Sequence, residues 1–90
     1  MNDPLVTIIT PLLNTAKYVE SSVESVLNQD YQNVEHLLVD GGSTDGSDII
    51  VRRYEDKYPG KVRLIEAPSS TVAEAWEIGY QKAKGSILGS

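Results

Sequence analysis

The sequence predicts an α/β fold: a Rossmann-like three-layer sandwich built around a mostly parallel sheet. Three observations predict it. Short apolar runs recur at Leu5–Thr10, Val34–Val39, Val62–Glu66 and Ser86–Ser90, and each of the first three leads into a stretch of helical periodicity. Strands alternating with helices imply parallel pairing and right-handed crossovers. The third observation is Val39-Asp40-Gly41-Gly42-Ser43-Thr44-Asp45-Gly46-Ser47-Asp48, where three glycines and five short polar residues follow the strand-end Asp40 and lead into a helical pattern. A tight turn at the carboxyl edge of a sheet needs such residues, because glycine reaches positive φ without a Cβ clash.

Taken in order, Leu5 to Thr10 is a nearly continuous apolar run, the pattern of a strand covered on both faces. Pro11 cannot donate to a ladder and is expected to close it. Asn14 or Thr15 is placed to cap a helix from Ala16 to Asn28. Its Val19, Val23, Val26 and Leu27 fall at helical spacing, with Glu20 and Glu24 toward water. Asp30 to Asn33 is a turn. In the second strand, His36 is read as a packed or half-exposed side chain rather than a catalytic one. Asp40 stands at that strand's end, pointing into the crevice where open α/β sheets bind ligands.

Thr44 or Asp45 is placed to cap the second helix, Ile49 to Tyr58, which carries Ile49, Ile50, Arg53 and Tyr54. Tyr58-Pro59-Gly60 stops it. After the third strand and the polar loop Ala67–Thr71, the third helix bears the clearest stripe: Val72, Ala75, Trp76, Gly79, Tyr80 and Ala83. Trp76 is read there as core, Gly79 as a close helix–sheet contact, and Gly85 as a C-terminal cap. Asp45 and Ser47 are read as structural.

Ninety residues make one domain, residues 1–90. The net charge of −5 leaves no electrostatic footprint for nucleic acid. There is no cysteine, hence no thiolate metal site, and a single histidine disfavours a histidine-based zinc site. The glycine turn is not an EF-hand loop, since Gly41 and Ser43 stand where ligands would be needed. Neither a dinucleotide fingerprint nor a Walker A loop is present. No apolar run nears the ~20 residues that span a bilayer, and Met1-Asn2-Asp3-Pro4 is no signal peptide. A cytoplasmic chain is expected, with membrane association of a longer protein left open.

Several stretches together resemble family 2 glycosyltransferases of the GT-A fold. They are Val6-Thr7-Ile8-Ile9-Thr10-Pro11 with Asn14, Ser25-Val26-Leu27-Asn28-Gln29, Leu38 to Ser47, Glu74 to Gly79, and Ala83-Lys84-Gly85 with Ile87. The resemblance implies the N-terminal, nucleotide-sugar-binding part of such an enzyme, with a UDP-type donor as partner. It further implies that Thr10, Pro11 and Asp40 hold the base, with Asn14 near the same pocket. A carboxylate suits that task because it accepts the imide N–H of uracil. The chain departs from the family pattern in three places: Leu13 stands where an aromatic is common, Ser69 and Thr71 where Asp and Gly are, and Glu77 where Asn is.

In the family, an acidic motif after the fourth strand binds Mg²⁺ or Mn²⁺, and a catalytic base lies further on. Neither falls within these residues, so no metal and no transfer activity are expected of this chain alone. Family topology puts the first strand between the second and the fourth. The fourth strand is then an edge at which copies could associate. The rival reading is a non-catalytic nucleotide-binding or interaction module with the same fold.

Overall fold

The computed structural model of the protein describes residues 4–89. Seven elements alternate: β1 (Val6–Leu12), α1 (Ala16–Leu27), β2 (Val34–Asp40), α2 (Ser47–Lys57), β3 (Val62–Glu66), α3 (Val72–Lys82) and β4 (Ser86–Gly89). The sheet order is β3-β2-β1-β4 and every neighbouring pair is parallel. This is the predicted three-layer α/β fold, with β1 central and β4 at an edge. Ser90, the predicted end of the fourth strand, lies outside the described residues.

Each strand directs alternate side chains to opposite layers. On one face Leu12, Leu38 and Val62 meet Val19 and Val23 of α1 and Val51 of α2. On the other, Ile9 and Val39 meet Ala75 of α3, with Trp76 packed against them. A Cβ at Gly79 would stand 2.6 Å from Cγ2 of Ile9, so only glycine lets α3 lie this close to the sheet. The predicted roles of Trp76 and Gly79 hold.

Pro11 does not close the first strand. β1 runs on to Leu12, and Pro11 is in register with Val39. The Leu12 carbonyl accepts from Gly41 N–H at 2.8 Å on the β2 side. By alternation the Pro11 nitrogen faces away from β2, so the β1–β2 ladder loses no bond at this residue.

The helices show further corrections. In α2 the fully buried apolar residue is Val51, whereas Ile49 is 54% exposed. In α3 the stripe is only partly used, since Val72 and Tyr80 lie at the surface. Glu24 does not simply face water: Tyr54 Oη donates to its Oε2 at 2.6 Å, joining α1 to α2.

Gly85 is not a helix cap, because α3 ends at Lys82 with Ala83 as C-cap. A Cβ at Gly85 would collide with the Leu5 carbonyl, and its N–H donates to Thr7 Oγ1 at 3.0 Å. This contact belongs to a network around Glu35, which is 1% exposed. Glu35 accepts from the Thr7 hydroxyl at 2.7 Å, Lys84 N–H at 2.6 Å and Arg63 at 3.2 Å. Burial pushes its carboxyl up, but these donors outweigh burial and hold it below the usual value. The network pins the α3–β4 connection beneath β1 and β2.

Candidate functional site

The carboxyl ends of β1 and β2 and the start of α3 enclose a cleft of about 410 Å³. Its walls are largely apolar: Pro11, Leu12 and Leu13 from β1 and the residue after it, Val39 from β2, and Val72 and Ala75 from α3. Gly41 and Ser70 contribute backbone and a hydroxyl. The Ser70 Oγ is buried and has no hydrogen-bond partner. A Cβ on Gly41 would come within 3.2 Å of the Ser70 carbonyl, so glycine there keeps the β2 and β3 loops in contact. The two loops are also tied through Ser69 N–H to Gly41 O at 3.0 Å and Ala67 N–H to Asp40 O at 2.8 Å.

Beside the cleft the β1–α1 loop and the glycine turn are clasped together. Asn14, in the left-handed region at φ 50°, donates its N–H to Ser43 Oγ at 3.0 Å and accepts Thr44 N–H on Oδ1 at 2.8 Å. Thr15 N–H donates to Ser47 Oγ at 2.9 Å. Asp45 Oδ2 accepts Ala16 N–H, the first of α1, at 2.9 Å, while Oδ1 accepts Ser47 N–H, the first of α2, at 3.0 Å. The Ser47 hydroxyl also donates to Asp45 Oδ1. One carboxylate thus serves two helix starts, where the backbone leaves N–H groups unpaired and favours negative charge. The Ser47 hydroxyl first, and then Ala16 N–H, hold this carboxyl below its usual range.

This arrangement replaces the expected caps. Neither Asn14 nor Thr15 caps α1 with its own side chain; the cap comes from Asp45, across the loops. Asp45, not Thr44, supports α2. The structural reading of Asp45 and Ser47 holds. Ser47 is fully buried.

The four residues implicated by the resemblance are brought near one another but not in one role. Pro11 lines the cleft. Asp40 sits between the lining residues Val39 and Gly41, is 4% exposed, and is not itself part of the wall. Its Oδ1 accepts Ser43 N–H at 3.0 Å and the Ser43 hydroxyl at 2.6 Å. Asn14 is engaged in the clasp. The Thr10 side chain meets the α1 side of the sheet instead, with Oγ1 2.7 Å from His36 Nε2. His36 is 1% exposed, and burial pulls its pKa down to about 4, so it is neutral at pH 7. It is a packed histidine, as its setting in the strand suggested.

Sequence reasoning passed over Ser43 and the Thr71–Glu74 pair. Thr71 Oγ1 accepts Glu74 N–H at 3.1 Å and Glu74 accepts Thr71 N–H at 2.8 Å. This capping box was legible as Thr-x-x-Glu before an apolar stripe. Ser43 carried a weaker signal, an Asp-x-x-Ser spacing at a strand end. Among the described residues, no three His, Cys, Asp or Glu side chains gather to hold a metal ion. The described residues thus offer no cluster that fits a divalent metal. No described helix is long and apolar enough to cross a membrane.

An all-parallel α/β sheet covered by helices, with an apolar cleft at the carboxyl ends of its strands, is of the Rossmann-like class. The particular family follows from comparison. The model of the Glycosyl transferase family 2 matches residues 7–89, and the chain belongs to that family. An uncharacterized glycosyltransferase of Haemophilus influenzae is 42% identical over 98% of the chain and 35% of its own length. The putative teichuronic acid biosynthesis glycosyltransferase TuaG of Bacillus subtilis is 46% identical over 91% of the chain and 32% of its own length. Among solved structures, the mannosyltransferase PcManGT of Pyrobaculum calidifontis, in complex with GDP-Man and Mn²⁺, superposes with a TM-score of 0.82 at 31% identity. That match covers 94% of the chain and 26% of PcManGT, and it is a GT-A fold. The chain thus spans about a third or less of these proteins.

Proposed function

We propose that residues 1–90 form the nucleotide-sugar-binding part of a glycosyltransferase that moves a sugar from a nucleotide donor to an acceptor. The observation that carries the reading is the apolar cleft at the ends of β1 and β2 with the Asp40 carboxylate beside it. The base would lie between Pro11 and Val72, with its imide edge toward Asp40. Thr10 and Asn14 would act from behind, Thr10 by holding β1 against His36 and Asn14 by clasping the loop that follows. The donor is of UDP type. A divalent metal would belong to the longer enzyme, and these residues alone would transfer no sugar.

Titration of the chain and of Asp40→Ala with UDP, followed by amide chemical shifts, tests this. Shifts at Pro11-flanking amides and at Gly41 are expected in the wild type and are expected to be lost in the variant. A wild type that shows none, or a variant that matches it, overturns the donor site. Metal-dependent turnover of a nucleotide sugar by the 90 residues would overturn the expected inactivity.

A further inference from the structure

We propose that Glu35 and Arg63, at the amino edge of the sheet, are positioning residues for the cleft at its carboxyl edge. They pin the last turn of α3, and α3 pivots on Gly79, so that its first turn, the cleft wall, follows. The inference concerns the shape of the cleft and holds whichever ligand enters it.

The Glu35 network and the cleft lie at the two ends of one inter-layer space. Thr7, Glu35 and Arg63 are each the second residue of their strand. By alternation they point to the same face as Ile9, Val39 and Ile65, the face that α3 covers. From Glu35 to Asp40 is about 17 Å of strand. α3 runs the other way, with its last turn over the network and its first over the cleft. Arg63 Nη1 donates to Glu35 Oε1 at 3.2 Å and also to the carbonyl of Lys82, the last residue of α3, at 3.4 Å. Just beyond the helix, Lys84 N–H donates to Glu35 Oε2 at 2.6 Å.

Between its two ends the helix rests on the sheet at a tight point. A Cβ on Gly79 would meet Ile9 Cγ2 at 2.6 Å and Cδ1 at 2.9 Å, so Ile9 is a fulcrum directly under the backbone. Ala75 and Trp76 pack one turn nearer the cleft, and beyond them Val72 is exposed and lines it. The start of α3 is tied to the sheet through its loop, where Ser69 N–H donates to Gly41 O at 3.0 Å. A helix carries a displacement as a rigid element. At about 1.5 Å of rise per residue, Val72 lies about 10 Å from the fulcrum and Lys82 about 5 Å, so a shift at the pinned end is roughly doubled at the cleft.

Glu35 suits this task because donors surround it. Oε2 accepts the Thr7 hydroxyl and Lys84 N–H, and Oε1 accepts Arg63. An amide in its place turns an N–H group toward at least one of these donors in a buried setting. The pinned end of α3 then lifts, and the end beyond the fulcrum tips into the cleft.

The single tryptophan reports the movement, because Trp76 lies between the fulcrum and the cleft. In ligand-free Glu35→Gln that keeps its far-UV circular dichroism, Trp76 emission should move to the blue and acrylamide should quench it less. Amide and methyl shifts should move at Val72 and Ala75, at the far end of the helix. Thr7→Val and Arg63→Met should act in the same direction, and they carry the test if Glu35→Gln fails to fold. Thr7→Ser keeps the hydroxyl and should restore wild-type values. Val51→Ala opens a cavity in the other layer and should leave Trp76 and Val72 unchanged. UDP affinity should fall about tenfold in Glu35→Gln, within the range of coupling through packed elements. Variants that fold with Trp76 and Val72 as in the wild type would overturn the proposal. So would a red shift with stronger quenching, the sign of a merely loosened fold. If UDP binds no form of the protein, the donor reading falls, and the Trp76 and Val72 measurements still decide this proposal. If those signals move as expected while UDP affinity does not, the nucleotide lies outside the cleft and only the donor reading is refuted.

Discussion

His36 makes the stability of this fold depend on pH well above the range where its carboxylates titrate. The ring is 1% exposed between β1 and α1, with Thr10 on Nε2 and no partner for Nδ1. Burial lowers its folded pKa from 6.5 to about 4. The unfolded chain then binds the proton more readily than the folded one. The neutral ring's contribution is complete above pH 6.5 and is lost as the pH falls toward 4. At 1.36 kcal/mol per pKa unit, the loss reaches about 2 kcal/mol at pH ~5 and about 3 kcal/mol at pH ~4. The carboxyls of Glu35, Asp45 and Glu74 are held below their ordinary values, so what they contribute is lost only at lower pH. Urea unfolding at pH ~7.5 and ~5 isolates the histidine. With a slope near 1 kcal/mol per molar, the wild-type midpoint should drop by about 2 M. In His36→Leu the starting stability will differ, but the drop should nearly vanish. Equal drops in the two proteins would show that the imidazole is not the titrating group.

Four other outcomes are expected. Gly79→Ala should destabilise the fold by about 1–3 kcal/mol, because the new methyl overlaps Ile9, and pairing it with Ile9→Val should recover part of the loss in the same urea assay. Asp45→Ala should lower Tm by several degrees, more than Asp48→Ala does, since only Asp45 receives N–H groups from the starts of both α1 and α2. Tyr54 should ionise late in an absorbance titration, at about 12, held there first by its hydrogen bond to Glu24, and Glu24→Gln should bring it down toward 10. Copies of the chain should associate through the β4 edge, which sedimentation across a concentration series would reveal and a monomer at the highest concentration would refute.

The layers and the family were legible in the sequence because they rest on local regularities: apolar runs, helical spacing, and a glycine turn of unusual composition; the strand order was implied by the family resemblance. What was not legible depends on meetings between distant segments. Nothing near Ala16 announces that its cap is Asp45, because the capping group lies 29 residues away and arrives only when β1 and β2 pair. Gly85 read as a helix cap because it follows a helix, yet its real constraint is the Leu5 carbonyl at the other end of the chain. Pro11 looked like a stop because the rule for proline assumes partners on both sides of a strand. Here the Pro11 nitrogen faces away from β2, and the ladder on the β2 side runs past it. The exposure of Val72 beside the cleft could not be read from spacing either, since a stripe says which residues share a face but not how far its cover extends.

The glycine turn explains why structural and functional readings of one motif need not compete. Its polar groups divide by direction. Asp45, Ser47, Thr44 and Ser43 point back into the clasp, where they satisfy Asn14, Thr15 and Ala16 and fix where two helices begin. Asp40, the residue at the strand end, is bonded on Oδ1 within the turn itself. A change in the clasp should therefore act on ligand binding only through the position of Asp40. Thr44→Val keeps the N–H that Asn14 accepts and loses only the weak 3.4 Å hydroxyl contact, so it should leave nucleotide affinity within about twofold. Asn14→Ala removes the acceptor and strains a residue at φ 50°, and it should weaken every nucleotide alike. An Asn14→Ala variant that bound nucleotide as tightly as the wild type, or a Thr44→Val variant that lost binding, would refute this division of roles.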